Sequence, residues 1–310
     1  MKKSGILLSI LILTLIVFAG CATNNGTQKG KDADKVQVYT SFYVLADFAK
    51  KIGGDYVEVT NMIPAGTEPH DFEPTPKQIA QLQKADLFVY NGTGFDQWAK
   101  KIVENNQGKM TVVNSTEGIR LLTLNEEEKN HKNGGGADPH VWLNPMNAMI
   151  QAEKIKDGLI KVDPSHKDTY TKNYEQLRES FIQLDKTYQY KLKDAKAREI
   201  FVSHAAFGYL ADRYQLKQVA IAGLTPSDEP SPKELAEIVN EGKKMNIKYI
   251  LFEPLVESKY ATTIMNEIGA KPLTLNPIET LTKEEIEKGE DYFSMMNKNL
   301  EVLQIALGVK

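Results

Sequence analysis

The chain has 310 residues, of which 41% are apolar and 25% charged. That composition lies inside the globular range and excludes a disordered chain, while the length favours two domains over a single core. A formal net charge of −3 leaves no general basic field, so no nucleic-acid partner is expected.

Lys2 and Lys3 precede an apolar run from Ile6 to Ala19, and small residues follow. This order describes a secretory signal peptide over residues 1–20. The run is too short for the ~20 residues needed to span a bilayer. Cys21 is the only cysteine, so no intramolecular disulfide can form. Phe18-Ala19-Gly20-Cys21 resembles the bacterial lipobox, which makes Cys21 the expected site of lipidation and the mature N-terminus. Residues 21–35 are polar and without a large apolar side chain, a tether that holds a folded body off the membrane. The body is expected at the extracytoplasmic face of the cell membrane.

From Val36 onward, strands and helices alternate. Val36–Tyr39, Val57–Ile63, Leu87–Tyr90 and Thr111–Asn114 read as strands, and Phe42–Ile52 and Pro76–Lys84 as helices. The second half repeats the theme, with strands at Glu199–Ser203, Gln218–Ile221, Tyr249–Phe252 and Leu273–Leu275, and helices at Pro232–Met245 and Lys259–Ile268. Such alternation predicts parallel sheets covered by helices. Two α/β lobes follow, over residues 36–163 and 197–310.

Between them, Ser165 to Lys196 contains neither Gly nor Pro. Tyr170, Tyr174, Leu177, Phe181, Leu184, Tyr188 and Leu192 recur every three or four residues, placing their side chains on one helical stripe. Residues 164–196 are therefore expected to form one long, stiff helix packed along both lobes, with Asp163 as its cap and Pro164 in its first turn. Three heptads with aromatics are weak evidence for a coiled-coil dimer, and a monomer is expected. Asn125 to Asp138, with Glu126, Glu127, Glu128, His131 and a run of three glycines, reads as a surface loop.

The five histidines divide by context. His166 falls in the first turn of the long helix and is expected at the surface; His131 falls in the acidic loop. His70 and His140 each directly follow a proline, and His204 directly follows the apolar stretch Glu199–Ser203. Proline fixes its own φ and restricts its neighbour, so a ligand beside it loses little entropy on binding. Open α/β sheets bind ligands at the carboxyl ends of their strands, where His70 and His204 would point. Three imidazoles and one carboxylate suit a tetrahedral zinc site.

GTEPHDFEPTP, DPHVWLNP and SHAAFGYLADRY resemble the histidine motifs of the zinc- and manganese-binding lipoproteins of bacterial ABC importers, and the resemblance runs from the signal peptide to the C-terminus. It implies two α/β lobes joined by a rigid helix, with a metal in the cleft between them. It implies His70 and His140 as ligands from the first lobe and His204 from the second. The matching place for a fourth, acidic ligand is Leu275-Asn-Pro-Ile-Glu279, making Glu279 the candidate ahead of Asp228 and Glu229, with Glu253 in a supporting position. The resemblance further implies delivery of the metal to an ABC permease and its ATPase.

Manganese-selective members of that family carry a glutamate where His204 stands. Three nitrogens and one oxygen favour Zn2+ over Mn2+, which prefers oxygen ligands. A zinc hydrolase would need an open coordination position and a general base; Glu279 would close the shell, and no HExxH motif is present. Lipid anchoring alone speaks for a surface adhesin. No catalytic activity is expected.

Overall fold

The protein is described by a computed structural model over residues 35–123 and 136–309. The expected signal peptide, Cys21, most of the tether, His131 and Glu126–Glu128 lie outside the described residues.

The first lobe is built from β1 (Val36–Thr40), α1 (Tyr43–Gly53), β2 (Val57–Asn61), α2 (Pro76–Leu82), β3 (Leu87–Tyr90), α3 (Gln97–Glu104) and β4 (Thr111–Asn114). Its sheet has the order β2-β1-β3-β4 and is parallel throughout, with Val38 beside both Val59 and Leu87. Leu87, Phe88 and Val89 are fully buried, the apolar run of a strand covered on both faces. Thr75 starts α2 through a reciprocal capping box, its hydroxyl accepting from the Gln78 main chain while the Gln78 carboxamide accepts from Thr75 N. Pro76 occupies the first turn, where its missing N–H costs nothing.

Two further helices follow, α4 (Pro145–Val162) and α5 (Lys167–Leu192). The Asn144 side chain caps α4 by accepting from Met146 N at 2.9 Å. Gly158, inside α4, lies so close to β3 and β4 that an added Cβ would stand 2.8 Å from Val113 and 3.1 Å from Leu87. Close approach of helix to sheet, not flexibility, explains a glycine there.

Helix α5 is the expected connector. All seven residues of its apolar stripe are buried, against α1 and α4 of the first lobe and against helices of the second. Phe181 meets Phe48 edge-on at 5.2 Å and lies 5.7 Å from Tyr292, so one aromatic belongs to the cores of both lobes. The helix is shorter than expected. Residues Pro164–His166 form a separate 3-10 turn, and the Asp163 carboxylate does not cap. It accepts instead from the Tyr170 hydroxyl at 2.6 Å, from His166 Nδ1 at 2.5 Å and from the Ser165 hydroxyl, and these hydrogen bonds, against the opposing effect of burial, lower its pKa to about 2.

The second lobe repeats the first: β5 (Glu199–His204), α6 (Gly208–Tyr214), β6 (Lys217–Ala222), α7 (Pro232–Lys244), β7 (Tyr249–Phe252), α8 (Lys259–Ile268) and β8 (Lys271–Thr274). Its parallel sheet has the equivalent order β6-β5-β7-β8. Helices α9 (Lys283–Glu287) and α10 (Tyr292–Ala306) close the chain. In each sheet the order reverses between two central strands, β1 and β3 or β5 and β7. Ligand crevices form outside strand ends at such switch points. Among the described residues, no helix is long and apolar enough to cross a membrane.

Candidate metal centre

Four side chains from four loops or strand ends meet between the lobes. His70 lies in the loop between β2 and α2, where Glu68 accepts from its main-chain N–H at 3.0 Å. The Gly66 N–H of the same loop donates to Leu281 of the second lobe at 3.0 Å. His140 directly precedes the 3-10 turn Val141–Leu143. His204 is the last residue of β5, and Glu279 follows β8.

The Glu279 loop is built rigidly. Asn276 accepts from Ile278 N at 2.7 Å, and Asn299 of α10 bonds both main-chain groups of Asn276. Pro277 O accepts from the Trp142 indole at 2.7 Å. Ile278 is held at φ +59° with its side chain fully buried. Left-handed backbone is costly for a β-branched residue and persists only where surrounding structure imposes it. Here it turns the chain so that the next residue, Glu279, faces the histidines.

The atoms that converge are the Nε2 atoms of the three imidazoles and Glu279 Oε1. Glu279 Oε1 stands 3.2 Å from His70, 3.1 Å from His140 and 3.6 Å from His204; His140 Nε2 stands 3.4 Å from both other imidazoles. All four atoms lie within 4.8 Å of one another. Four ligands in a tetrahedron at 2.0–2.1 Å from a zinc ion stand about 3.3 Å apart. Five of the six edges match that figure to within about 0.3 Å. The side chains are 0–4% exposed, so the set is closed to bulk water.

Carboxylates stand behind two of the imidazoles. Asp138 Oδ1 accepts from His140 Nδ1 at 2.8 Å, and Glu253 Oε1 accepts from His204 Nδ1 at 2.5 Å and from the Ser203 hydroxyl. With Nδ1 protonated, the lone pair of Nε2 is directed at the centre. Burial disfavours charge on His204, but the Glu253 carboxylate and hydrogen bonds to Glu253 and Glu279 outweigh it, pushing the imidazole up to about 10. For His140, hydrogen bonds to Asp138 and Glu279 likewise overcome burial and raise its pKa. Burial pushes Glu279 up, yet the charge of His70 and hydrogen bonds to all three histidines hold it well below the usual carboxylate range. Compact positive charge is favoured in this pocket.

The structure brings the four candidate side chains His70, His140, His204 and Glu279 together, and Glu253 stands behind His204. Asp228 and Glu229 do not join the cluster. Glu229 accepts from the Tyr260 hydroxyl at 2.9 Å, and Asp228 packs against Gly223. His166, expected at the surface, is half-buried there and stacks on the exposed Tyr56 at 3.8 Å between ring centroids. The role of Asp138 emerges only in the structure, although its place two residues before His140, across a proline, is itself a signal in the sequence.

A family model described as "Zinc-uptake complex component A periplasmic" (ZnuA) matches residues 38–306. The chain belongs to the ZnuA family. These are solute-binding transport proteins. The chain is 40% identical to the high-affinity zinc uptake system protein ZnuA of Bacillus subtilis, covering 100% of this chain and 99% of that protein. It is also 40% identical to the zinc-binding lipoprotein AdcA of Streptococcus pneumoniae, but spans only 61% of AdcA's length. Among solved structures, the Zn(II)-bound ZnuA-like domain of Streptococcus pneumoniae AdcA superposes with a TM-score of 0.76 at 40% identity, over 88% of this chain and 99% of that domain.

Proposed function

We propose that this protein captures Zn2+ outside the cytoplasm at His70, His140, His204 and Glu279 and hands it to an ABC-type permease driven by its ATPase. The observation that carries this reading is the near-tetrahedral set of one oxygen and three nitrogens at zinc-like spacing. Membership of a zinc-uptake family supports the same ion. Manganese favours more oxygen ligands and octahedral geometry, so His204, a nitrogen donor fixed from behind by Glu253, weighs for zinc.

Capture is an exchange of cations. Zn2+ sheds its water for four protein ligands, and protons held on the imidazoles leave, because metal ligation requires the neutral ring. A closed four-ligand shell leaves no position for an activated water, so the site binds without hydrolysing. A buried, complete shell also holds tightly, and release into a permease has to come from docking. Lipidation of Cys21 and the tether over residues 21–35 would keep the protein beside its permease.

Elemental analysis and calorimetric titration of protein stripped with chelator test the reading. One tight Zn2+ per chain is expected, and its loss in His140→Ala. No tight site, or one unchanged by that substitution, would overturn it.

A further inference from the structure

His140 precedes α4 and belongs in sequence to the first lobe, yet part of its support comes from the second. Tyr209, in the first turn of α6, is 2% exposed. Its hydroxyl donates to the main-chain oxygen of Asp138 at 3.0 Å and accepts from Leu122 N at 2.9 Å. Asp138 N in turn donates to Leu122 O at 2.8 Å, so the hydroxyl joins two segments that already pair. The same Asp138 offers one carboxylate oxygen to both N–H groups of His140, the main chain at 2.9 Å and Nδ1 at 2.8 Å.

The neighbouring residue tells the same story. A Cβ added at Gly208 would stand 2.5 Å from Asp138 Oδ2, so only glycine lets α6 come down onto this carboxylate. Beyond His140, Trp142 donates its indole N–H to Pro277 O at 2.7 Å and accepts at its own carbonyl from the Tyr292 hydroxyl at 2.7 Å. The segment bearing His140 is thus gripped from the second lobe on both sides.

We propose that Tyr209 is a positioning residue for the metal: its hydroxyl, bridging Leu122 and Asp138, holds the Asp138 carboxylate against His140 Nδ1 and so aims His140 Nε2 at the ion. The proposal rests on the zinc site put forward above. Tyr209 touches no ligand atom; it acts through Asp138. Carboxylates behind ligating histidines fix tautomer and ring orientation, and their loss weakens metal binding by about 10- to 100-fold. A residue that fixes the carboxylate acts on the same quantity.

The test uses Tyr209→Phe, which keeps the ring and removes the bridge, beside Tyr214→Phe. The latter loses a comparable hydroxyl bond, to Asp185 at 3.1 Å, away from the metal. Zinc affinity is measured by competition with a chelator, the site is reported by the visible absorption of Co2+ in place of zinc, and in the metal-free protein NMR follows solvent exchange of the His140 Nδ1 proton. Tyr209→Phe is expected to bind zinc about tenfold more weakly, with altered cobalt bands and faster exchange, while Tyr214→Phe matches the parent in all three. Gly208→Ala, which crowds Asp138 without touching the hydroxyl, is expected to alter the cobalt bands in the same way and keeps the test open if Tyr209→Phe does not fold. Parental affinity and spectrum in Tyr209→Phe, or equal weakening in Tyr214→Phe, would overturn the proposal while leaving the zinc site standing. A parent protein without tight zinc would bring down the site itself.

Discussion

Glu253 Oε1 lies 2.5 Å from Nδ1 of His204, and the two residues close the ends of neighbouring strands of one sheet, β5 and β7. The parallel pairing of these strands brings a carboxylate behind an imidazole 49 positions away. Replacing Glu253 with Gln keeps the shape and removes the charge that raises His204. Zinc affinity is expected to fall by about 10- to 100-fold, read by chelator competition, with the fold intact by circular dichroism.

Zinc binding at pH 7 is expected to release protons, that of His204 among them. His204 is pushed up to about 10, so it holds a proton at neutral pH in the metal-free site, and His140 is raised in the same direction, whereas ligation needs neutral imidazole. The sign follows: apparent affinity rises with pH until His204 has given up its proton. Titration calorimetry in buffers of differing ionisation enthalpy measures the count, and a heat independent of buffer would contradict it.

Asp185 is the polar anchor of the connecting helix. Its carboxylate accepts from Arg213 through Nε at 2.9 Å and Nη2 at 2.6 Å, and from the Tyr214 hydroxyl and Gln189. Asp185→Ala leaves the buried Tyr214 hydroxyl without its acceptor and frees the more exposed Arg213 and Gln189, and a loss of about 2 kcal/mol is expected. For a chain of this size that lowers Tm by about 3–4 °C. Calorimetric melting of the metal-free protein reads it.

Gly158→Ala separates helix propensity from packing. Propensity alone favours alanine in a helix by up to about 1 kcal/mol. Contacts of 2.8 Å to Val113 and 3.1 Å to Leu87 oppose it, and overpacking costs about 1–3 kcal/mol. Destabilisation is expected, and a higher denaturation midpoint in the alanine variant would show that the sheet yields.

Phe181→Ala tests whether α5 joins two cores into one. The ring meets Phe48 and Tyr292, and its removal is expected to cost about 3–5 kcal/mol. Chemical denaturation followed by two probes, one in each lobe, should stay a single transition with a lower midpoint.

Strands with runs of Leu, Val and Ile, helices opening on Thr75-Pro76 or Ser231-Pro232, and the stripe from Tyr170 to Leu192 were legible because local propensity and periodicity specify them. Helix α4 is less legible in the sequence: Asn144-Pro145 is a start signal, but Gly158 weakens the local helical preference and its reason lies in the sheet beneath. The sequence predicts Asp163 as a cap, but its carboxylate is engaged by Tyr170 and His166, contacts that depend on how the helix docks.

For the site, residue chemistry near strand ends was enough to single out His70, His140 and His204, since imidazoles beside prolines or closing an apolar strand carry their own local signature. Glu279 followed from family resemblance alone, because nothing within a few residues marks one carboxylate among many as the one that turns inward. That choice is made by Asn299, Trp142 and the left-handed Ile278. The amino-acid order by itself determined which groups could ligate and that two parallel sheets would present them. Only the tertiary structure decided their spacing and which carboxylate stands behind which imidazole, because these depend on contacts between segments up to 209 residues apart.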